Sequence, residues 1–213
     1  MKVFKKILKI LAIVLAVVLA LLIAYCAYML ISYHRIGDQT LAPEGNADGA
    51  IERGDELRII SYNIGFGAYE EDFGFFMDGG DRAWAWSEER LDANLKKIAD
   101  VLRQENAELY LVQEVDIGST RSYQFDERPY LSDVLTGYSN VFAQNYDSAF
   151  LCLPITQPFG VAKSGLMTFS QAPIASSERI GIPVETGLTK FLDLDRCYSK
   201  SRIPLSDGGE LVL

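Results

Sequence analysis

Histidine is almost missing from this chain: its 213 residues hold one, His34. With no imidazole further along, a Ser-His-Asp or Cys-His catalytic site in the domain beyond it is excluded, as is a His-rich zinc site. Cysteine is nearly as scarce. Cys26, Cys152 and Cys197 lack CxxC spacing and are too few for a disulfide scaffold. Cys152 and Cys197 could pair outside the cell; the simpler reading is two small buried apolar residues. Cys26 follows Tyr25, where a lipoprotein site needs a small residue, and so reads as a lipid-facing or packing thiol. Glycine motifs stop short. "NIGFGAYE" offers Gly65 and Gly67 but has Glu70 where a dinucleotide fingerprint needs its third glycine, and no Walker A lysine follows. "AKSGL" has Ala162 where a nucleophile elbow needs glycine. No repeat recurs at a fixed period. Positive charge is short as well: 20 Lys and Arg oppose 29 Asp and Glu, for a formal net charge of -9. Four of the lysines fall within residues 1–9, so the remainder is more acidic still. Such a surface repels a polyanion, and duplex nucleic acid is disfavoured as a partner.

Apolar residues are plentiful. At 49% hydrophobic and 23% charged, the chain can bury a sizeable core in one or at most two domains. A basic segment over residues 1–9 (Lys2, Lys5, Lys6, Lys9) precedes an uncharged apolar run from Ile10 to Tyr33. A helix of roughly 20 residues crosses the hydrocarbon core, and this run exceeds that. The competing reading is a cleaved signal peptide, whose apolar region is about 7 to 15 residues and ends in a small-residue site. Length favours a single transmembrane helix over residues 10–33. The lysines before it favour a cytoplasmic N-terminus and an extracytoplasmic domain, and the expected location is the plasma membrane. Residues 34–56 are polar with scattered Gly and Pro and read as a juxtamembrane linker, with the folded part over residues 57–213.

"LRIISY" (57–62) has the β-branched and aromatic character of a buried strand, broken by "NIGFG". In "WSEERLDANLKKIADVLRQENA", Leu91, Leu95, Ile98, Ala99 and Leu102 fall on one helical face. "ELYLVQEVD" returns to strand character. Strand, helix, strand argues an α/β unit with the helix over one sheet face. "SNVFAQNY", "GLMTFS", "IASSERIGIP" and "FLDLDRCYSKSRIPL" then read as strands in mixed or antiparallel pairing. "SDGGELVL" reads as a turn followed by one more strand.

Two strand ends carry chemistry. Asn63 ends the first strand and Glu114 ends the second, and adjacent α/β strands deliver such residues to one edge, where ligands bind. A glutamate oxygen suits Mg²⁺, and an asparagine donates to a phosphoryl oxygen without adding charge. Strand-end Asn and Glu are also common turn formers and solvated groups, and the residues alone leave both readings open. "EEDFGFFMDGGD" (Glu70 to Asp81) could form a separate cation site through residues such as Asp78, or be a solvated acidic loop.

"RIISYNIGFG" followed by "LYLVQEVD" resembles the first two motifs of the endonuclease/exonuclease/phosphatase superfamily. "SGLMTFSQAPI" looks like its later strand ending in a Ser-x-x-Pro turn, and "RCYSKSRIPLSDGGELVL" looks like the hairpin leading to its next core strand. The resemblance runs over about Leu57 to Leu213 and suggests a membrane-anchored, bacterial-type member. It implies a layered α/β sandwich of two packed mixed sheets with outer helices. It also implies a Mg²⁺-dependent phosphoric ester hydrolase, with Glu114 as metal ligand and Asn63 orienting the phosphate or the catalytic carboxylate. Arg121 and Tyr123 would be substrate contacts, a guanidinium being able to fork onto phosphate; an ordinary polar surface loop accounts for them equally. Substrates on this reading are phosphate esters: phospholipid headgroups, nucleotides or other organic phosphates. The family's histidine, Asp-x-Asn and Ser-Asp-His groups do not follow that hairpin in the sequence, which suggests that the chain is a C-terminally truncated half, inactive alone. The alternative is a non-catalytic membrane-anchored binding or scaffold protein, or a decayed gene product, that keeps half of the fold.

Overall fold

The computed structural model describes residues 2–183, 187–191 and 193–213. The chain divides into two units, Met1–His34 and Arg35–Leu213. In the first, helix α1 spans Lys2–Ser32, and the mean hydropathy of its most apolar window is 3.2. Its 31 residues rise about 45 Å, more than a bilayer's hydrocarbon core requires. None of its side chains is buried by protein, unlike the core helix of a globular domain. It is long and apolar enough to cross a membrane.

The second unit is mixed α/β, built on two sheets. Strands β1 (Gln39–Leu41), β7 (Ser176–Gly181), β8 (Cys197–Pro204) and β9 (Glu210–Val212) form an antiparallel sheet in the order β1-β7-β8-β9. Strands β2 (Glu44–Gly45), β3 (Ile59–Asn63), β4 (Leu109–Asp116), β5 (Ser139–Asp147) and β6 (Lys163–Ser170) form a mixed sheet in the order β2-β5-β6-β4-β3, in which only β3 and β4 are parallel. The sheets pack face to face because strand alternation places Leu109, Val141 and Ala143 of one against Leu41 and Ile203 of the other. Polar contacts cross the same gap: Arg179 Nε donates to Gln144 O at 2.7 Å, and the Thr168 and Ser199 hydroxyls lie 3.3 Å apart.

Helix α2 (Glu88–Glu105) connects β3 to β4, and its buried side chains are Leu91, Leu95, Ile98, Ala99 and Leu102, with Asn94 at the margin. The Ser87 hydroxyl caps it by accepting from Arg90 N, and Asn106 ends it in the left-handed region. Tyr110 alternates away from Leu109, and its hydroxyl donates to Leu102 O at 2.5 Å, tying strand to helix.

Two sequence readings need correction, and one helix has no counterpart among them. Residues 34–56 are more than a linker: β1 and β2 lie there and pair with β7 and β5, and Leu41 and Ile51 are buried, so the folded unit begins at Arg35. The strand read over residues 191–205 begins only at Cys197, because a 3-10 turn (Leu188–Phe191) and irregular backbone precede it. A short helix, α3 (Glu127–Val134), follows β4 where the sequence offered no clear apolar face. Met1 of the basic segment and Leu192 of "FLDLDR" lie outside the described residues.

Candidate functional site

Parallel pairing of β3 with β4 sets Asn63, the last residue of β3, opposite Gln113, next to Glu114. Immediately after Gln113 the pairing of β4 with β6 slips by one residue, and Glu114 occupies the bulge at φ 57°. A non-glycine residue in the left-handed region is uncommon and costs roughly 1 kcal/mol or more. The bulge takes Glu114 out of the strand alternation and re-aims its carboxylate.

Asn63 Nδ2 donates to Glu114 Oε1 at 2.9 Å, and Asn63 Oδ1 accepts from Gly65 N at 2.9 Å. The carboxamide is therefore fixed at both ends. Gly65 sits at φ 53°, and a Cβ there would come within 2.4 Å of the Tyr69 ring. Only glycine allows this turn to deliver its N–H to Asn63.

Glu114 lines a cleft of about 300 Å³ together with Tyr69, Asp78, Arg121, Asn145 and Asp193. The Tyr69 hydroxyl donates to Asp78 Oδ2 at 2.8 Å. Burial, then the Asp78 hydrogen bond and charge, push the Tyr69 phenol above its usual range, so it stays protonated at neutral pH. Other acids of "EEDFGFFMDGGD" are engaged elsewhere: Glu70 and Asp72 both accept from Arg90 Nη2. Among the described residues no three His, Cys, Asp or Glu side chains converge on a point that could hold a metal. Of that stretch, Asp78 lies on the cleft with Glu114, hydrogen-bonded to Tyr69.

The structure thus brings Asn63 and Glu114 together and treats the other two candidates differently. Arg121 lines the cleft, but it is buried and its guanidinium forks onto Asp116, with Nε and Nη2 donating at 3.0 and 2.8 Å. Its Cζ also lies 3.8 Å from the Phe66 ring centroid. A guanidinium committed on both its edge and its face has little left to offer a phosphate. Tyr123 is apart from the cleft lining: its hydroxyl donates to Ala85 O at 3.0 Å and its ring meets Trp84 edge-on. Cys152 and Cys197 are both thiols, so the disulfide considered from sequence is not formed. Cys197 Sγ donates to Gln144 O, and burial raises its pKa.

The residue that sequence reasoning passed over is Asp116. It is fully buried, receives Arg121 and the Ser122 hydroxyl, and its N–H donates to Glu127 Oε2 at 2.8 Å. The available signal was an acid closing the strand directly after Val115, two places beyond Glu114. Glu127 Oε1 is buried without a hydrogen-bond partner, and burial, then the Asp116 charge, hold the Glu127 carboxyl well above the usual carboxylate range. In the unfolded chain this group ionises near pH 4.3, while in the folded chain it keeps its proton to higher pH. The native state therefore binds the extra proton and loses stability as pH rises from the unfolded towards the folded value. Glu127→Gln is neutral throughout and retains an acceptor for Asp116 N. Its stability advantage over the wild type in urea titrations should widen between pH 5 and pH 8; a gap that stays constant would contradict the assignment.

No family model matches the chain, and no curated protein matches it. Among solved structures, an endonuclease/exonuclease/phosphatase from Beutenbergia cavernae DSM 12333 is similar, with a TM-score of 0.45 and 17% identity. The match covers 73% of this chain and 36% of that protein, so this chain spans about a third of its length.

Proposed function

We propose that this chain supplies the metal-binding carboxylate and the orienting carboxamide of a membrane-anchored, extracytoplasmic, Mg²⁺-dependent phosphoesterase. Its substrates would be phosphate esters such as phospholipid headgroups or nucleotides. The observation that carries the proposal is the Asn63–Glu114 hydrogen bond at the bulged end of β4, beside a polar cleft. The sequence motifs around both residues support the same reading.

Mg²⁺ is commonly held by one or two carboxylates, with waters and substrate phosphate completing its shell. A single Glu114 carboxylate, fixed through one oxygen by Asn63, fits that demand. A bound Mg²⁺ would neutralise charge on the phosphoryl oxygens. Asn63 holds the carboxylate in place, and Tyr69, protonated and engaged with Asp78, gives the cleft a fixed phenol dipole. Helix α1, with its four lysines in its N-terminal turns, is the anchor on this reading.

The only imidazole in the sequence is His34, outside the folded unit, so this chain alone has no histidine to stabilise the transferring phosphoryl group. It should show little or no turnover by itself. Binding can still be measured. Calorimetric titration of inorganic phosphate into the full chain should give Mg²⁺-dependent uptake, weakened about 10- to 100-fold in Asn63→Ala, as when an outer partner of a metal ligand is removed. Phosphate uptake indifferent to both Mg²⁺ and Asn63 would defeat the proposal. Turnover by the chain alone, lost in Glu114→Ala, would defeat the claim of inactivity.

A further inference from the structure

The connection between β5 and β6 runs from Ser148 to Ala162, "SAFLCLPITQPFGVA", without a charged residue, in a chain that is 23% charged. It is a built hairpin rather than a loose loop. Leu151 and Gly160 exchange backbone hydrogen bonds at 2.9 and 3.0 Å, Phe159 N donates to Leu153 O at 3.0 Å, and Gln157 N donates to Pro154 O at 3.2 Å. Its returning arm, just past the tip, is pinned by Trp84 Nε1 donating to Pro158 O at 2.7 Å and Ala83 N donating to Gln157 Oε1 at 3.0 Å. Leu151 and Phe159 are buried inward, whereas Leu153 is 59% exposed and Ile155 82%, with Phe150 partly exposed beside them. Apolar tips held out on a rigid base need an apolar surround.

We propose that the tip from Leu153 to Thr156 inserts into the interface of a lipid bilayer. Three observations favour lipid over protein. Helix α1 is long and apolar enough to cross a membrane, and the folded unit begins at Arg35, the next residue after that unit, so a bilayer would always be within reach. The exposed side chains are too few for the roughly 1,200 Å² or more that a stable protein interface buries, whereas a bilayer demands no shape match. The backbone also suits a low-dielectric surround: Pro154 and Pro158 carry no N–H, and the hairpin bonds satisfy other groups near the tip.

The contact itself does not depend on the phosphoester reading. Its consequence does: Phe159 of this hairpin lines the same cleft as Glu114, so lipid phosphates become the substrates nearest to hand.

The test uses the full chain in phosphatidylcholine vesicles carrying acyl chains brominated near the headgroup. Trp84 and Trp86, the only tryptophans, set a common background. Ile155→Trp should add an emission component that is blue-shifted and quenched by the brominated lipid. Thr136→Trp, exposed at the other end of β5 and so roughly 30 Å away along the strand, should add one that is neither. Ile155→Trp emission that is unquenched and red-shifted, like that of Thr136→Trp, would overturn the proposal. Blue-shifted but unquenched emission would mean that protein covers the tip, a second copy or another partner, and would overturn it as well. Neither position is buried, so both variants should fold, and neither readout requires phosphoesterase activity.

Discussion

Asp116→Ala is expected to cost the folded unit most of its stability. Asp116 is fully buried and Arg121 is 6% exposed, and the two meet through a forked pair that the Ser122 hydroxyl reinforces. Removing the carboxylate takes away the forked partner of a buried guanidinium and leaves it only the carboxyls of Glu114 and Glu127, which do not bond to it, and breaking such a buried pair typically costs about 3–5 kcal/mol. Whole domains are stable by only about 5–15 kcal/mol. A melting midpoint followed by circular dichroism should fall by roughly 10 °C or more at this chain size. Lys200→Ala, which breaks the exposed cross-strand pair with Glu178, should barely move it. If the two variants melted alike, the pair would be no structural hub, and Arg121 would return as a candidate substrate contact. Because Arg121 also lines the cleft and stacks on Phe66, the same substitution should disturb the cleft wall before global unfolding.

The parts of the fold legible in the sequence are those whose pattern is local. Leu91, Leu95, Ile98, Ala99 and Leu102 repeat at helical spacing, and these same side chains are the apolar ones that α2 buries. Strands β3 and β4 announce themselves through β-branched and aromatic runs, and the pairing of their ends follows from the helix between them. Strands β1 and β2 are three and two residues long and mostly exposed; only distant partners, β7 and β5, make them strands, so nothing nearby marks them. Helix α3 carries real signals, Asp126 as its cap and Pro129 in its first turn, but it buries only Glu127 and Leu131, too little for a periodic face.

The same division runs through the site. That Asn63 and Glu114 would lie at neighbouring strand ends could be reasoned from order alone, whereas the bulge that turns Glu114 could not, since "LYLVQEVD" reads as an unbroken strand. Arg121 suggested a phosphate contact because a guanidinium suits phosphate. In the structure a closer carboxylate, Asp116, takes it, and only three-dimensional pairing reveals the competitor.

Glu114→Gln carries the largest expected functional effect. The substitution keeps an oxygen to accept from Asn63 Nδ2 and removes only the charge, so the fold and the 2.9 Å contact should survive while metal ligation fails. Loss of a direct ligand should exceed the roughly 10- to 100-fold penalty expected for its outer partner Asn63. The direct measurement is electron paramagnetic titration of Mn²⁺, standing in for Mg²⁺, into the full chain in detergent micelles. The account predicts one Mn²⁺ taken up by the wild type and displaced by Mg²⁺, with that uptake lost in Glu114→Gln. Uptake unchanged in Glu114→Gln, or none in the wild type, would contradict it.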